Sequence, residues 1–389
     1  MALNPLQSLH EQAEAAFLPY GPELQVVESY GEVEAEYAAI RKGAALMDAP
    51  HRGVAILTGK DRLSFLHNKV TNDTNGLTPG QGCYAYLLNL KGRIVMDMNI
   101  LQGEEATLIE MDARLINAFV SAAEKYIFTE DVRVLSGEQQ LARLTVMGPR
   151  AGEVLGRAMD AGVETLNEPF RHAKRLIGKI MVTVFRNDLA GEAEYELIVP
   201  RDQLVALWQI LHEAGHTEEN GGGGGEEVPP LRAIGWSAFN TARIEAGTPL
   251  YGIDITEHYL PMETAHWYPR AVCVTKGCYL GQEIVARMHA HNTVARLLVG
   301  LRVGGSKLPV AGTEIFDASG GAGAAGVQQV GIITSSSMSP MLGNVPVAMG
   351  YVKKAFAGVG KEVDVLAEGS RERATVVALP FWKRAGAGG

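Results

Sequence analysis

Near residue 278 the chain reads Lys276-Gly277-Cys278-Tyr279-Leu280-Gly281-Gln282-Glu283. A lysine two residues before a cysteine can stabilise a thiolate and raise its fraction at neutral pH. Gly277 and Gly281 permit tight backbone geometry around the sulfur. The competing reading is a small buried cysteine in a strand-to-helix turn, and spacing alone favours it. Asp97 sits in Ile94-Val95-Met96-Asp97-Met98-Asn99-Ile100. A charge amid large apolar residues is costly if buried and unpaired. Strand alternation groups Asp97 with Val95 and Asn99, so it either lies on a polar exposed face or serves a ligand.

Glu192, Glu194 and Glu196 alternate along Gly191-Glu192-Ala193-Glu194-Tyr195-Glu196. A carboxylate can accept two parallel hydrogen bonds from an amidine-like N–H pair. The same pattern is that of a solvated acidic strand face, which the sequence favours. Arg243 and Glu245 precede Gly247 and Pro249, which end a helix and start a loop. Arg243 could reach a carboxylate ligand or pair with a local acid, and Glu245 reads as structural. His289-x-His291 in a strand would face one way, but no second Cys or His pair completes four ligands. With no such completing pair, no metal site is expected. No G-x-S-x-G or Walker A pattern is present.

The elements that must position these residues can be read from periodicity. Asn4-Pro5 suggests a cap and a first-turn proline, followed by Leu6, Leu9, Ala13 and Phe17 at helical spacing. A second helix ends near Gly43, and Asp61 to Val70 predicts another. Cys83 to Leu90 and Ile94 to Leu101 predict a hairpin turning at Lys91-Gly92-Arg93. Leu141 to Met147, Lys179 to Phe185 and Tyr195 to Val199 predict strands, followed by a helix from Arg201 to Glu213. After about residue 293 only short strand-like runs recur, which predicts an all-β barrel or sandwich. The fold class is therefore α+β rather than a regular βαβ repeat. The run of five glycines at 221–225 reads as a surface loop. Gly321, Gly323 and Gly326 match G-x-G-x-x-G, but a strand-like stretch follows where a dinucleotide site needs a helix, so a hairpin loop is expected.

The chain has 389 residues, 47% hydrophobic and 20% charged, with a formal net charge of -9. That length allows two or three domains and a sizeable core without staples. The acidic balance argues against a nucleic-acid or anionic-membrane surface. The cysteines, Cys83, Cys273 and Cys278, form no disulfide framework and suit a reducing compartment. No signal peptide or membrane span is evident, so a cytoplasmic protein is expected.

Taken together, these residues resemble the glycine-cleavage T-protein superfamily of folate-dependent aminomethyltransferases. They resemble most closely its YgfZ branch of folate-binding proteins linked to iron–sulfur cluster maintenance. The stretches that carry the likeness are Ala45-Leu46-Met47-Asp48, Val70-Thr71-Asn72-Asp73, Leu88-Asn89 through Gly92 to Asp97, Gly191-Glu192 with Tyr195-Glu196, and Arg243-x-Glu245-Ala246-Gly247 with Leu250-Tyr251-Gly252. Val330 to Ser335 and Ser339 to Gly343 resemble the family's barrel, and the KGCYLGQE octet resembles the YgfZ motif. Where the aminomethyltransferases usually carry Asp-Asp, this chain has Met96-Asp97, and where they usually carry Gly it has Glu194.

The resemblance implies a cloverleaf of mixed α/β hairpin domains around a folate channel, with a C-terminal β-barrel. Residues 1–50 with 140–290 would form a first folate-binding domain, 51–139 a ferredoxin-like α/β domain, and 291–389 the barrel. Tetrahydrofolate is the implied cofactor. Asp97 is implied to approach the folate N10 nitrogen, Glu192 to read the pterin edge, Arg243 to add a folate contact, and Cys278 to be a working thiol. The implied function is tetrahydrofolate binding in support of iron–sulfur cluster assembly or repair, with iron–sulfur proteins or their assembly factors as partners. The alternative is aminomethyl transfer from a lipoylated carrier to tetrahydrofolate with release of ammonia.

Overall fold

The computed structural model describes residues 4–216, 231–319 and 328–384. The glycine run at 221–225 and the Gly321, Gly323, Gly326 pattern lie outside the described residues. Two compact units are present, one within 1–67, 73–84 and 98–239, the other within 68–72, 85–97 and 240–389.

The first unit is organised on a six-stranded sheet in the order His172–Ile177, Ile180–Arg186, Glu194–Pro200, Leu141–Met147, Ala45–Asp48, Arg232–Ile234. All neighbours are antiparallel except the last pair. Alternation assigns its two faces. Leu144, Val146, Leu197 and Val199 point into one apolar core. The helix Leu204–His216 covers that core with Leu204, Leu207, Trp208 and Leu211, the three-and-four spacing of a single helical stripe. Helix Ala151–Ala158 adds Val154 and Leu155. Arg143, Thr145, Glu194 and Glu196 therefore face the other way. That second face is buried too, because Ile198 and Phe185 pack there with Val54 and Leu101.

A five-stranded sheet has the order Gln81–Leu88, Ile94–Gln102, Ala106–Asp112, Arg52–Thr58, Arg133–Ser136. Its first two strands are the expected hairpin. In the second unit, six strands close into a barrel in the order Arg296–Val303, Val345–Lys353, Gln329–Ser339, Glu314–Asp317, Glu362–Ala367, Ser370–Val377. Every neighbouring pair is antiparallel, and small β-branched residues such as Val299, Val303, Val363 and Val376 fill the interior. Mixed helices and antiparallel strands with a C-terminal barrel make the fold α+β, as expected.

Three local expectations are corrected. Helix Gln7–Gln12 starts after Asn4 and Pro5, whose turn is closed by Asn4 Oδ1 accepting from Leu6 N at 3.0 Å. The helix expected over 61–70 runs only Arg62–His67. His289 and His291 lie in helix Gln282–His291, not a strand, and residues two apart on a helix diverge.

Candidate functional site

In the second unit, Asp97 is 5% exposed, with Met96 and Met98 buried beside it. The polar-face alternative for this strand is thus excluded. The backbone just before it is fixed by the 251–259 segment. Tyr251 Oη donates to Val95 O at 2.5 Å, and Ile94 N donates to Tyr259 O at 3.2 Å. Tyr86, fully buried on the partner strand, donates its backbone N–H to Thr71 Oγ1 at 2.8 Å. Thr71 itself donates to Ala271 O at 2.7 Å. The Val70-Thr71-Asn72 stretch is therefore a scaffold for the hairpin that carries Asp97.

The octet belongs to the same scaffold. Lys276 Nζ donates to Val70 O at 2.6 Å and Asn72 O at 3.0 Å, and stands 4.9 Å from the Tyr279 ring centre. Its ammonium donates to both of these carbonyls. Cys278 is exposed. Gly281 has φ +78, and a Cβ there would meet Asn89 O at 2.6 Å. It lets the turn before helix Gln282–His291 touch the Asn89–Gly92 turn of the hairpin.

Arg243 is 1% exposed. Its guanidinium donates to Asn240 Oδ1 at 2.9 Å, Thr248 O at 3.1 Å, Asp254 Oδ2 at 2.5 Å and Ser335 Oγ at 2.7 Å. Asp254 in turn accepts from Thr334 Oγ1, Ser335 Oγ and Leu250 N. Arg243 thus has a local acid as its partner, the second of the two readings open to it, and ties its helix to a barrel strand. Glu245 is a brace, accepting from Ser339 Oγ at 2.5 Å.

In the first unit the three alternating acids are all buried, at 4%, 1% and 3% exposure for Glu192, Glu194 and Glu196. The solvated-face reading is corrected, and the reason is the second layer of packing behind the sheet. Glu196 Oε2 accepts from Arg143 Nη2 and from Thr145 Oγ1. Arg143 Nη1 also donates to Glu110, which Arg52 grips with two further bonds at 2.6 and 2.7 Å. Burial works to raise the Glu110 carboxyl, but the Arg143 and Arg52 charges outweigh it and hold it down at about 2. Glu194 lies the other way: burial, then the Glu196 charge, push it well above the usual carboxylate range. Glu192 Oε1 stands 4.0 Å from Arg41 Nη1, beyond hydrogen-bond reach, while that nitrogen donates to Ala190 O at 2.7 Å. Arg143 is a charge inside the apolar run Leu141–Met147, the same sequence signal that marks Asp97.

Residues 6–267 match the GCVT N-terminal domain, and residues 296–383 match the glycine cleavage T-protein C-terminal barrel domain. The chain belongs to the glycine cleavage T-protein family. It is 30% identical over 391 residues to an aminomethyltransferase of Symbiobacterium thermophilum, covering 98% of this chain and 97% of that one. It is 29% identical over 385 residues to an aminomethyltransferase of Bacillus subtilis, covering 98% and 99%. The crystal structure of glycine cleavage system aminomethyltransferase T from Bartonella henselae superposes with a TM-score of 0.83 at 27% identity, covering 97% of each chain.

These likenesses correct the expected function. Full-length relatives named aminomethyltransferase favour the alternative reading over an accessory role in iron–sulfur cluster assembly or repair, and nothing in them points to iron–sulfur partners. The T-protein family uses tetrahydrofolate, as the resemblance implied. Each taken within its own unit, Asp97 and Glu192 are deeply buried carboxylates, of the kind that accept N–H groups of a ligand. Among the described residues, no cluster of three or more His, Cys, Asp or Glu could hold a metal ion, and no helix is long and apolar enough to cross a membrane.

Proposed function

We propose that this protein is an aminomethyltransferase that passes the one-carbon unit of an aminomethylated, lipoylated carrier to tetrahydrofolate and releases ammonia. The observation that carries the reading is Asp97: a buried carboxylate on a braced strand, in a chain matched along its length by aminomethyltransferases. Bound tetrahydrofolate would supply the nitrogens that accept the one-carbon unit. Asp97 would orient or polarise N10, an electrostatic and positioning role that burial strengthens because the surrounding dielectric is low. Glu192 would take the paired N–H groups of the pterin edge. Arg243 would act at one remove, through Asp254 and Ser335, by holding the loop that bears Tyr251. The sparse cysteines, none of them in a disulfide, accord with a cytoplasmic location.

The test is ammonia release from a verified aminomethylated carrier with tetrahydrofolate present. Wild type should release ammonia, and Asp97→Asn should be slower by roughly a hundredfold. A wild type that releases none sinks the reading. The KGCYLGQE octet supports one other reading, a YgfZ-like folate binder without turnover. Saturable tetrahydrofolate binding with no ammonia release would favour it.

A further inference from the structure

Glu192 sits in the turn between strands Ile180–Arg186 and Glu194–Pro200. Asp188 and Gly191 adopt left-handed φ values of +59 and +79, so the turn is tight. Asn187 N donates to Glu194 O at 3.0 Å, and Glu194 N donates to Asp188 Oδ1 at 3.0 Å. Ala190, fully buried, is held at both its polar groups. Its N–H donates to Glu194 Oε2 at 2.8 Å and its carbonyl accepts Arg41 Nη1 at 2.7 Å.

The charge balance around Glu194 is closed without it. Arg52 and Arg143 match Glu110 and Glu196. A third buried anion there would be uncompensated, which costs far more than keeping the carboxyl protonated. Burial, then the Glu196 charge, with Asp188 as a further acid, accordingly favour the neutral form of Glu194. As a neutral acid it donates its O–H toward Glu196 and keeps its second oxygen for Ala190 N.

We propose that Glu194 is a positioning residue for Glu192, clamping the Ala190 amide and so aiming the neighbouring carboxylate at the N–H edge of the ligand. This rests on the folate reading above.

The experiment measures tetrahydrofolate affinity by anaerobic calorimetry, and amide exchange at Ala190, in the full chain. Glu194→Gln keeps a donor for Glu196 and an acceptor for Ala190 N; Glu194→Ala keeps neither. Glu194→Gln should bind within about twofold of wild type, and Glu194→Ala about tenfold more weakly, with Ala190 exchanging about tenfold faster. Wild-type affinity in Glu194→Ala overturns the proposal. So does an equal loss in both variants, since that makes the charge itself the contact. A wild type that binds no tetrahydrofolate overturns the folate reading; unchanged exchange in Glu194→Ala separately overturns the clamp. Should Glu194→Ala not fold, wild type and Glu194→Gln are compared from about pH 6 to about pH 10. Glu196 and Asp188 face Glu194; Arg143 is paired with Glu196, Arg186 with Asp188, and Arg41 lies between Ala190 O and Glu192, so ionisation of Glu194 adds a negative charge beyond these pairs. Wild-type affinity should fall with rising pH and the Gln variant should stay flat; parallel profiles overturn the proposal.

Discussion

Arg243 and Asp254 form an ion pair at 2.5 Å with both side chains buried, and the pair shares Ser335 as a common hydrogen-bond partner. A buried pair of this kind is worth little against a well-packed apolar substitute, but breaking one half leaves the other charge uncompensated. Asp254→Ala should therefore destabilise the protein by about 3–5 kcal/mol, read from denaturant melts. Asp254→Ala combined with Arg243→Met should cost less than Asp254→Ala alone. Equal stability of wild type and Asp254→Ala would remove the brace.

His51 sets an acid limb on stability. It is buried against Tyr20 and Trp236, with ring centres 5.3 and 5.2 Å away. Burial, then the Arg52 charge, push it from 6.5 down to about 3. Between those values the unfolded chain binds the proton and the folded chain does not, so stability falls as pH drops from about 6.5 toward about 3. Glu110, held at about 2, adds its own loss below the ordinary glutamate range, near 4.5. Melting temperature should thus decline from about pH 7 to about pH 5 in wild type and decline less in His51→Phe. Identical slopes in a folded His51→Phe would assign that limb to other groups.

Gly281 and Gly343 form a matched pair of tests. Both hold positive φ, +78 and +79, but a Cβ on Gly281 meets Asn89 O at 2.6 Å whereas one on Gly343 meets nothing within 4 Å. Gly343→Ala should cost about 1 kcal/mol from backbone strain alone. Gly281→Ala carries the same strain plus a backbone clash, and its melting midpoint should fall clearly further. Equal losses would show that the octet turn has room to move.

Cys278 is exposed, and the ammonium of Lys276 is committed to Val70 O and Asn72 O. Cys278→Ser should leave both stability, within about 0.5 kcal/mol, and ammonia release unchanged. Loss of ammonia release with stability intact would restore a working thiol. Lys276→Met, by contrast, should lower stability, because it strands the buried Val70 carbonyl and the half-buried Asn72 carbonyl.

The sequence by itself determined the α+β class, the barrel and most strand positions. Alternating patterns in Leu141–Met147 and Glu194–Pro200 and the stripe Leu204, Leu207, Leu211 record local periodicity directly. It also marked Asp97 as a charge placed where water should be scarce. The octet was legible as unusual, yet its meaning was not, because the partners of Lys276 are 206 and 204 residues away in sequence. Glu192, Glu194 and Glu196 were legible only as a pattern. One alternating strip of acids is compatible with solvent or with burial, and only a second packed layer, bringing Val54, Leu101 and Glu110 against that face, decided for burial. The same holds for Arg243. A guanidinium can serve a ligand or a fold, and only tertiary contacts, in bringing Asp254 and Ser335 to it, settle which charges are already matched.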